Sequence, residues 1–96
     1  MSHGILNSMH EKQSFEALAA AIAAKHKDIL PGSKWQHYKG GTYRVVRLAF
    51  QEDDMAIVVL YESIDYPAIS FVRPFAKWFD QVEWNGEHVQ RFRILT

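Results

Sequence analysis

The stretch His37-Tyr38-Lys39-Gly40-Gly41-Thr42-Tyr43 sets a double glycine between two runs of strand-forming residues. Glycine enters positive φ without steric cost, so a Gly-Gly pair in this setting reads as a hairpin turn. Lys34 to Lys39 leads into the turn, and Thr42 to Phe50, rich in Val, Tyr and Leu, leads out of it. Further along, Gln51-Glu52-Asp53-Asp54 is a charged turn, and Met55 to Tyr61 is nearly all apolar, as in a central strand covered on both faces. Asp65-Tyr66-Pro67 turns the chain, and Ala68 to Arg73 forms a fourth strand ended by Pro74. Phe75, Trp78 and Phe79, spaced i, i+3, i+4, read as one helical or 3₁₀ turn whose rings pack into the core. Val82 to Trp84, the Asn85-Gly86 pair favoured in type I′ turns, and His88 to Leu95 complete a last hairpin. Neither face of Thr42–Phe50 is cleanly apolar, which places a β-bulge near Arg47.

Five to six short strands with tight turns predict a mostly β fold over residues 33–96. A small SH3-like antiparallel barrel is one form, and an open curled sheet with a helix on one face is the other. Residues 1–32 differ in kind, holding a single aromatic residue, Phe15, and the alanine run Ala19 to Ala24. They read as one N-terminal amphipathic helix. Ser8 and Glu11 have capping-box spacing, Phe15, Leu18, Ala19 and Ile22 form a stripe, and Pro31-Gly32 stops it. The stripe is narrow, with Ala19 as one of its four residues, so the helix needs a surface to dock on: either the β domain, or a partner such as a second copy in a homodimer.

The totals exclude several classes. Absence of cysteine removes disulfide scaffolds, thiolate catalysis and Cys-ligated zinc, and fits a reducing, cytoplasmic setting. Eleven basic and eleven acidic side chains cancel, which speaks against a nucleic-acid binder. No apolar run is long enough to span a membrane, and Met1 to Asn7 lacks the basic flank and long apolar stretch of a secretion signal. His3, His10, His26, His37 and His88 show no metal-ligand spacing, so no metal or other cofactor is expected. Ser63 and Ser70 sit in no nucleophile elbow, and Gly40-Gly41 lacks the further glycines of a phosphate loop, so no catalytic residue is assigned.

Five blocks occur in order: H-Y-K-G-G-T-Y-R-V at 37–45, V-V-L-Y at 58–61, F-V-R-P at 71–74, W-F at 78–79 and V-Q-R-F-R-I-L at 89–95. Together they resemble the small bacterial family catalogued as domain of unknown function 1653, over about residues 35–95. Phe71 stands where that pattern calls for tryptophan, the turn at 51–54 is more acidic than usual, and the N-terminal extension has no counterpart in the minimal domain. The resemblance implies a compact, mostly β domain, found alone or fused to others, and no particular reaction.

The residues themselves nominate one surface. His37 offers a donor to an anion or an acid/base group titrating near neutrality; its bland role is a ring nitrogen bonded to a backbone carbonyl, fixing the hairpin. Tyr38 and Tyr61 supply contact area at low entropic cost, although tyrosine is also simply a good strand residue. Lys39 brings a mobile charge. Arg73 can clamp a carboxylate bidentately, or form a structural ion pair with Glu62. His37, Tyr38, Lys39, Tyr61 and Arg73 thus make the candidate ligand-binding set of a module for a peptide segment or a small anionic ligand. An enzyme or enzyme accessory acting on a small polar substrate through His37 and Arg73 is the alternative, and contact with RNA or the ribosome is the third reading.

Overall fold

The computed structural model of the chain describes residues 15–96. Helix α1 occupies residues 15–25 of these. Seven strands follow: β1 (Lys34–His37), β2 (Thr42–Phe50), β3 (Ile57–Ser63), β4 (Ser70–Pro74), β5 (Gln81–Trp84), β6 (Glu87–Gln90) and β7 (Phe92–Leu95), with a 3₁₀ turn at Phe75–Lys77 between β4 and β5. Five strands form an antiparallel sheet in the order β4-β3-β2-β1-β7, and β5 and β6 form a separate two-stranded hairpin. Strands β4 and β7 do not pair with each other, so the sheet curls into a half-barrel and stays open. Of the two forms the sequence allows, it is the curled sheet.

The bulge expected in β2 is present. Val45 pairs with Tyr61 and Arg47 with Leu60, leaving Val46 as the extra residue. One extra residue reverses the parity of the strand. Tyr43 and Val45 before it, and Leu48 after it, therefore share the core face, while Val46 and Arg47 are exposed. That switch is why neither simple alternation of the segment is apolar.

The core gathers Ile29, Trp35, Val45, Leu48, Val59, Trp78 and Phe92. Trp78 and Phe92 stack with centroids 4.0 Å apart and planes 2° from parallel, and Trp35 meets Trp78 edge-on at 5.6 Å. The 3₁₀ turn exists to deliver Trp78. Of its three expected core rings, Phe75 is partly buried against the core, whereas Phe79 stays exposed with its edge toward Trp35.

Three sequence expectations need correction. Helix α1 ends at residue 25, before Pro31-Gly32, because the chain tightens into a turn in which Asp28 and Ile29 N–H both reach the Lys25 carbonyl. Its stripe docks only in part: Ile22 packs on the core and Leu18 is half-buried, but Phe15 and Ala19 are exposed. The capping pair Ser8 and Glu11 lies outside the described residues. Finally, the segment 88–95 is two strands, broken at Arg91, whose N–H bonds the Asp80 carbonyl. The first half stays with β5 and the second crosses to β1, which raises the strand count to seven. Among the described residues no helix is long and apolar enough to cross a membrane.

Candidate functional site

The β1–β2 turn is built from its own side chains. Gly40 N–H bonds the His37 carbonyl at 2.8 Å, and His37 N–H bonds the Gly41 carbonyl at 2.8 Å. Gly40 has φ of 108°, a region that only glycine enters cheaply. Gly41 is there for a different reason: a Cβ on it would meet the Tyr43 hydroxyl at 3.0 Å. The double glycine thus serves one conformational and one steric need.

His37 Nδ1 accepts the Lys39 backbone N–H at 3.2 Å, which leaves the ring proton on Nε2. The imidazole fixes the turn, as an acceptor from an amide rather than a donor to a carbonyl. Burial holds its pKa below the usual histidine value, and the charges of Arg91, Lys39 and Arg73 push it the same way. His37 is therefore a neutral Nε2–H donor at pH 7. Its ring lies 4.4 Å from that of Tyr38 and meets Phe92 edge-on at 5.1 Å.

Beside this turn, between β1, β7 and the β5–β6 hairpin, lies a groove of about 500 Å³. Gln36, His37, Tyr38 and Gly40 line it from the first turn, Arg93 from β7, and Trp84, Val89 and Gln90 from the hairpin. Tyr38 and Trp84 meet edge-to-face at 5.2 Å and make the aromatic wall. Lys39 Nζ sits 5.8 Å, and the Arg91 guanidinium 5.9 Å, from the Tyr38 ring centroid. The Arg93 guanidinium donates to the Gln36 side-chain oxygen. None of the lining residues is acidic.

The hairpin wall is held by a shared carboxylate. Asp80 accepts Arg91 Nε at 2.8 Å on one oxygen and Arg73 Nη2 at 3.1 Å on the other. Arg73 Nε also donates to the Lys77 carbonyl at 3.1 Å. The hydrogen bond from Arg91 holds the Asp80 carboxyl below the usual carboxylate range against its burial, with the charges of both arginines adding to it. The same bond holds Arg91 firmly charged. Through this latch β4, the 3₁₀ turn and the base of β5–β6 are tied together.

The expected pairing of Arg73 with Glu62 is not formed. Arg73 stands opposite Val59, whereas Glu62 stands opposite Arg44 and pairs with it at 3.6 Å. Residues 59 and 62 of one strand point to opposite faces, so the two side chains never meet. Tyr61 faces the core side, stacked on Phe71 at 5.5 Å and edge-on to Trp78 at 5.0 Å; burial raises its pKa, with partial offset from Arg73 and Arg91. His37 and Tyr38 therefore line the groove, Lys39 stands outside the lining with its Nζ 5.8 Å from the Tyr38 ring centroid, and Tyr61 and Arg73 are also absent from the lining. Sequence reasoning missed Gln36 and Trp84; the sequence offers Arg91 and Arg93 as charges on one strand face, but Arg91 lies at the break between β6 and β7 and pairs with Asp80, and Arg93 alone lines the groove. An aromatic residue at the lip of an Asn-Gly turn, as Trp84 is, was the one available signal. Among the described residues no three His, Asp or Glu side chains gather as a metal site.

Residues 33–94 match the family described as "Protein of unknown function (DUF1653)". A crystal structure of a DUF1653 protein from Bordetella bronchiseptica is similar with a TM-score of 0.57 and 27% identity, over 69% of this chain and 86% of that one. No curated protein matches the chain.

Proposed function

The chain belongs to the DUF1653 family, and we propose that it is a binding module for a small anionic ligand, seated in the groove beside the His37–Gly41 turn. One observation carries this reading: an aromatic wall and the Arg93 guanidinium line a cavity without a single carboxylate in its lining, with Lys39 and Arg91 beside its Tyr38 ring. Its size, about 500 Å³, falls in the usual range of small-ligand sites. Arg93, whose Nη2 donates to Gln36, offers its remaining guanidinium N–H groups, the Gln90 amide adds donors, and Lys39 and Arg91 at Tyr38 raise the local potential. Neutral His37 contributes Nε2–H as a hydrogen bond, not as a charge. In this reading Arg73 and Asp80 are positioning residues that hold the hairpin wall.

The enzymatic alternative has less support. Arg73 spends Nε and Nη2 on Lys77 and Asp80, and His37 Nδ1 is already occupied. The test is a titration with small carboxylates and inorganic phosphate, followed by intrinsic fluorescence. Trp35 and Trp78 are buried and Trp84 is exposed, so a groove ligand changes the Trp84 contribution. The expected result is saturable quenching that Trp84→Phe removes and Arg93→Ala weakens at least tenfold. Saturable binding unaffected by Arg93→Ala, or no binding by any anion tested, would overturn the reading.

A further inference from the structure

Among the described residues no strand pairs with the outer edge of β4. Ile69, Phe71 and Val72 are exposed along it, Val72 to 56% of its surface. An apolar, unpaired edge strand is a template for another strand, and proteins normally blunt such edges with charge. Here β4 carries one charge, Arg73, and that is bound to Asp80.

The direction of the unpaired backbone groups follows from the ladder. Ser63 N–H bonds the Ile69 carbonyl, so 63/69 is a hydrogen-bonded pair, and by alternation so are Tyr61/Phe71 and Val59/Arg73. The N–H and C=O groups of Phe71 and Arg73 thus face β3. Those of Ser70 and Val72, and the carbonyl of Pro74, face away from the sheet. Proline at 74 loses nothing by this, because its missing N–H would have pointed outward.

We propose that β4 pairs antiparallel with β4 of a second copy, centred on Val72, joining two five-stranded sheets into one. The register is self-complementary. Val72 exchanges both hydrogen bonds with Val72 of the partner subunit. Ser70 N–H meets the carbonyl of Pro74 of the partner subunit, and the missing N–H of proline ends the ladder there. On the core face Phe71 then lies opposite Arg73 of the partner subunit, a ring against a guanidinium. Backbone pairing alone would accept any extended strand; the Phe71–Arg73 contact, made twice about the two-fold axis, needs a second copy of this sequence, which is why a second copy is the occupant.

The chain has no cysteine, so single-cysteine variants report the register directly. In a hydrogen-bonded antiparallel pair Cα atoms are about 5.5 Å apart, within disulfide reach. Val72→Cys should oxidise to a covalent dimer. Ser70→Cys should not, because the two copies of residue 70 are four positions apart along the strand, about 13 Å. Light scattering over a concentration series should show a monomer–dimer equilibrium in the full chain. Val72→Pro removes only an outward N–H and should weaken association at least tenfold; Val72→Lys, which keeps every backbone group, should do the same by charge. A monomer at every concentration, equal cross-linking of the two cysteine variants, or a Val72→Lys variant that dimerises like the parent would overturn the proposal.

Discussion

Replacing Asp80 with alanine tests the latch that holds the groove wall. The carboxylate makes two charge-assisted contacts, 2.8 Å to Arg91 and 3.1 Å to Arg73. The side chains are partly open to solvent, 22% for Arg73, 26% for Arg91 and 35% for Asp80, so water and salt screen both contacts. Exposed pairs are worth about 0.2–1 kcal/mol each, with geometry and networking moving them toward the upper end. The two together come to about 1–2 kcal/mol. For a domain of this size each 1 kcal/mol moves the thermal midpoint by about 4–8 °C. Denaturant unfolding followed by the fluorescence of buried Trp35 and Trp78 reads the loss. At 1 M salt, where the Debye length is about 3 Å, most of the difference should vanish. The sign with pH is fixed: the folded carboxyl titrates below its unfolded value, so its stabilisation is present above the unfolded pKa and is lost as pH falls through the folded one. A low-salt loss above about 4 kcal/mol would mean a buried, unscreened network, and no loss at all would mean that the contacts carry nothing. Either result refutes the argument from partial exposure.

Three more expectations follow from the same structure. Gly40→Ala, forced to φ of 108°, should lose about 1–3 kcal/mol in denaturant melts while Gly41 stays intact as the seat of the Tyr43 ring. His37 should titrate below the usual histidine value in NMR pH titrations; because the unfolded state then binds the proton more tightly, stability should fall as pH drops from about 6.5 toward the folded pKa, and His37→Gln should flatten that slope. Phe15→Ala should change the unfolding midpoint by less than about 0.5 kcal/mol, because the ring is exposed, whereas fully buried Ile29→Ala should cost about 2–5 kcal/mol.

What the sequence made legible is what local chemistry decides. Gly40-Gly41 and Asn85-Gly86 place both hairpins; Asn85 and Gly86 adopt φ of 53° and 79°, as a type I′ turn requires. The mixed pattern around Arg47 announces the bulge, and the aromatic spacing announces the 3₁₀ turn. The illegible parts are set by tertiary contacts. No proline or glycine marks the break at Arg91; it arises because that residue turns to Asp80, eleven positions earlier. Without the break, β7 has no route to β1, and neither Arg93 nor Trp84 can be placed at the groove. An Arg73–Glu62 pair, one of the two roles the sequence allows for Arg73, is ruled out by the β3–β4 register, which no local signal sets and which puts Arg73 opposite Val59 and Glu62 opposite Ser70.

The same locality reconciles a net charge of zero with the proposed anion site. Glu52, Asp53 and Asp54 lie in the turn after β2, while Lys39 lies in the turn before it. The nine residues of β2 separate these two turns by about 30 Å at strand rise. At 0.1 M salt the Debye length is about 10 Å, so the acidic turn scarcely reaches the groove. Balance over the whole chain therefore does not mean balance at the site. Asp80 is matched against two arginines, which leaves an excess of positive charge at the hairpin base, while Glu83 and Glu87 stand on the hairpin strands outside the groove lining. The charge that would decide the sign of a ligand in this groove is set by the turn, the hairpin and the latch, and a count over 96 residues averages it away.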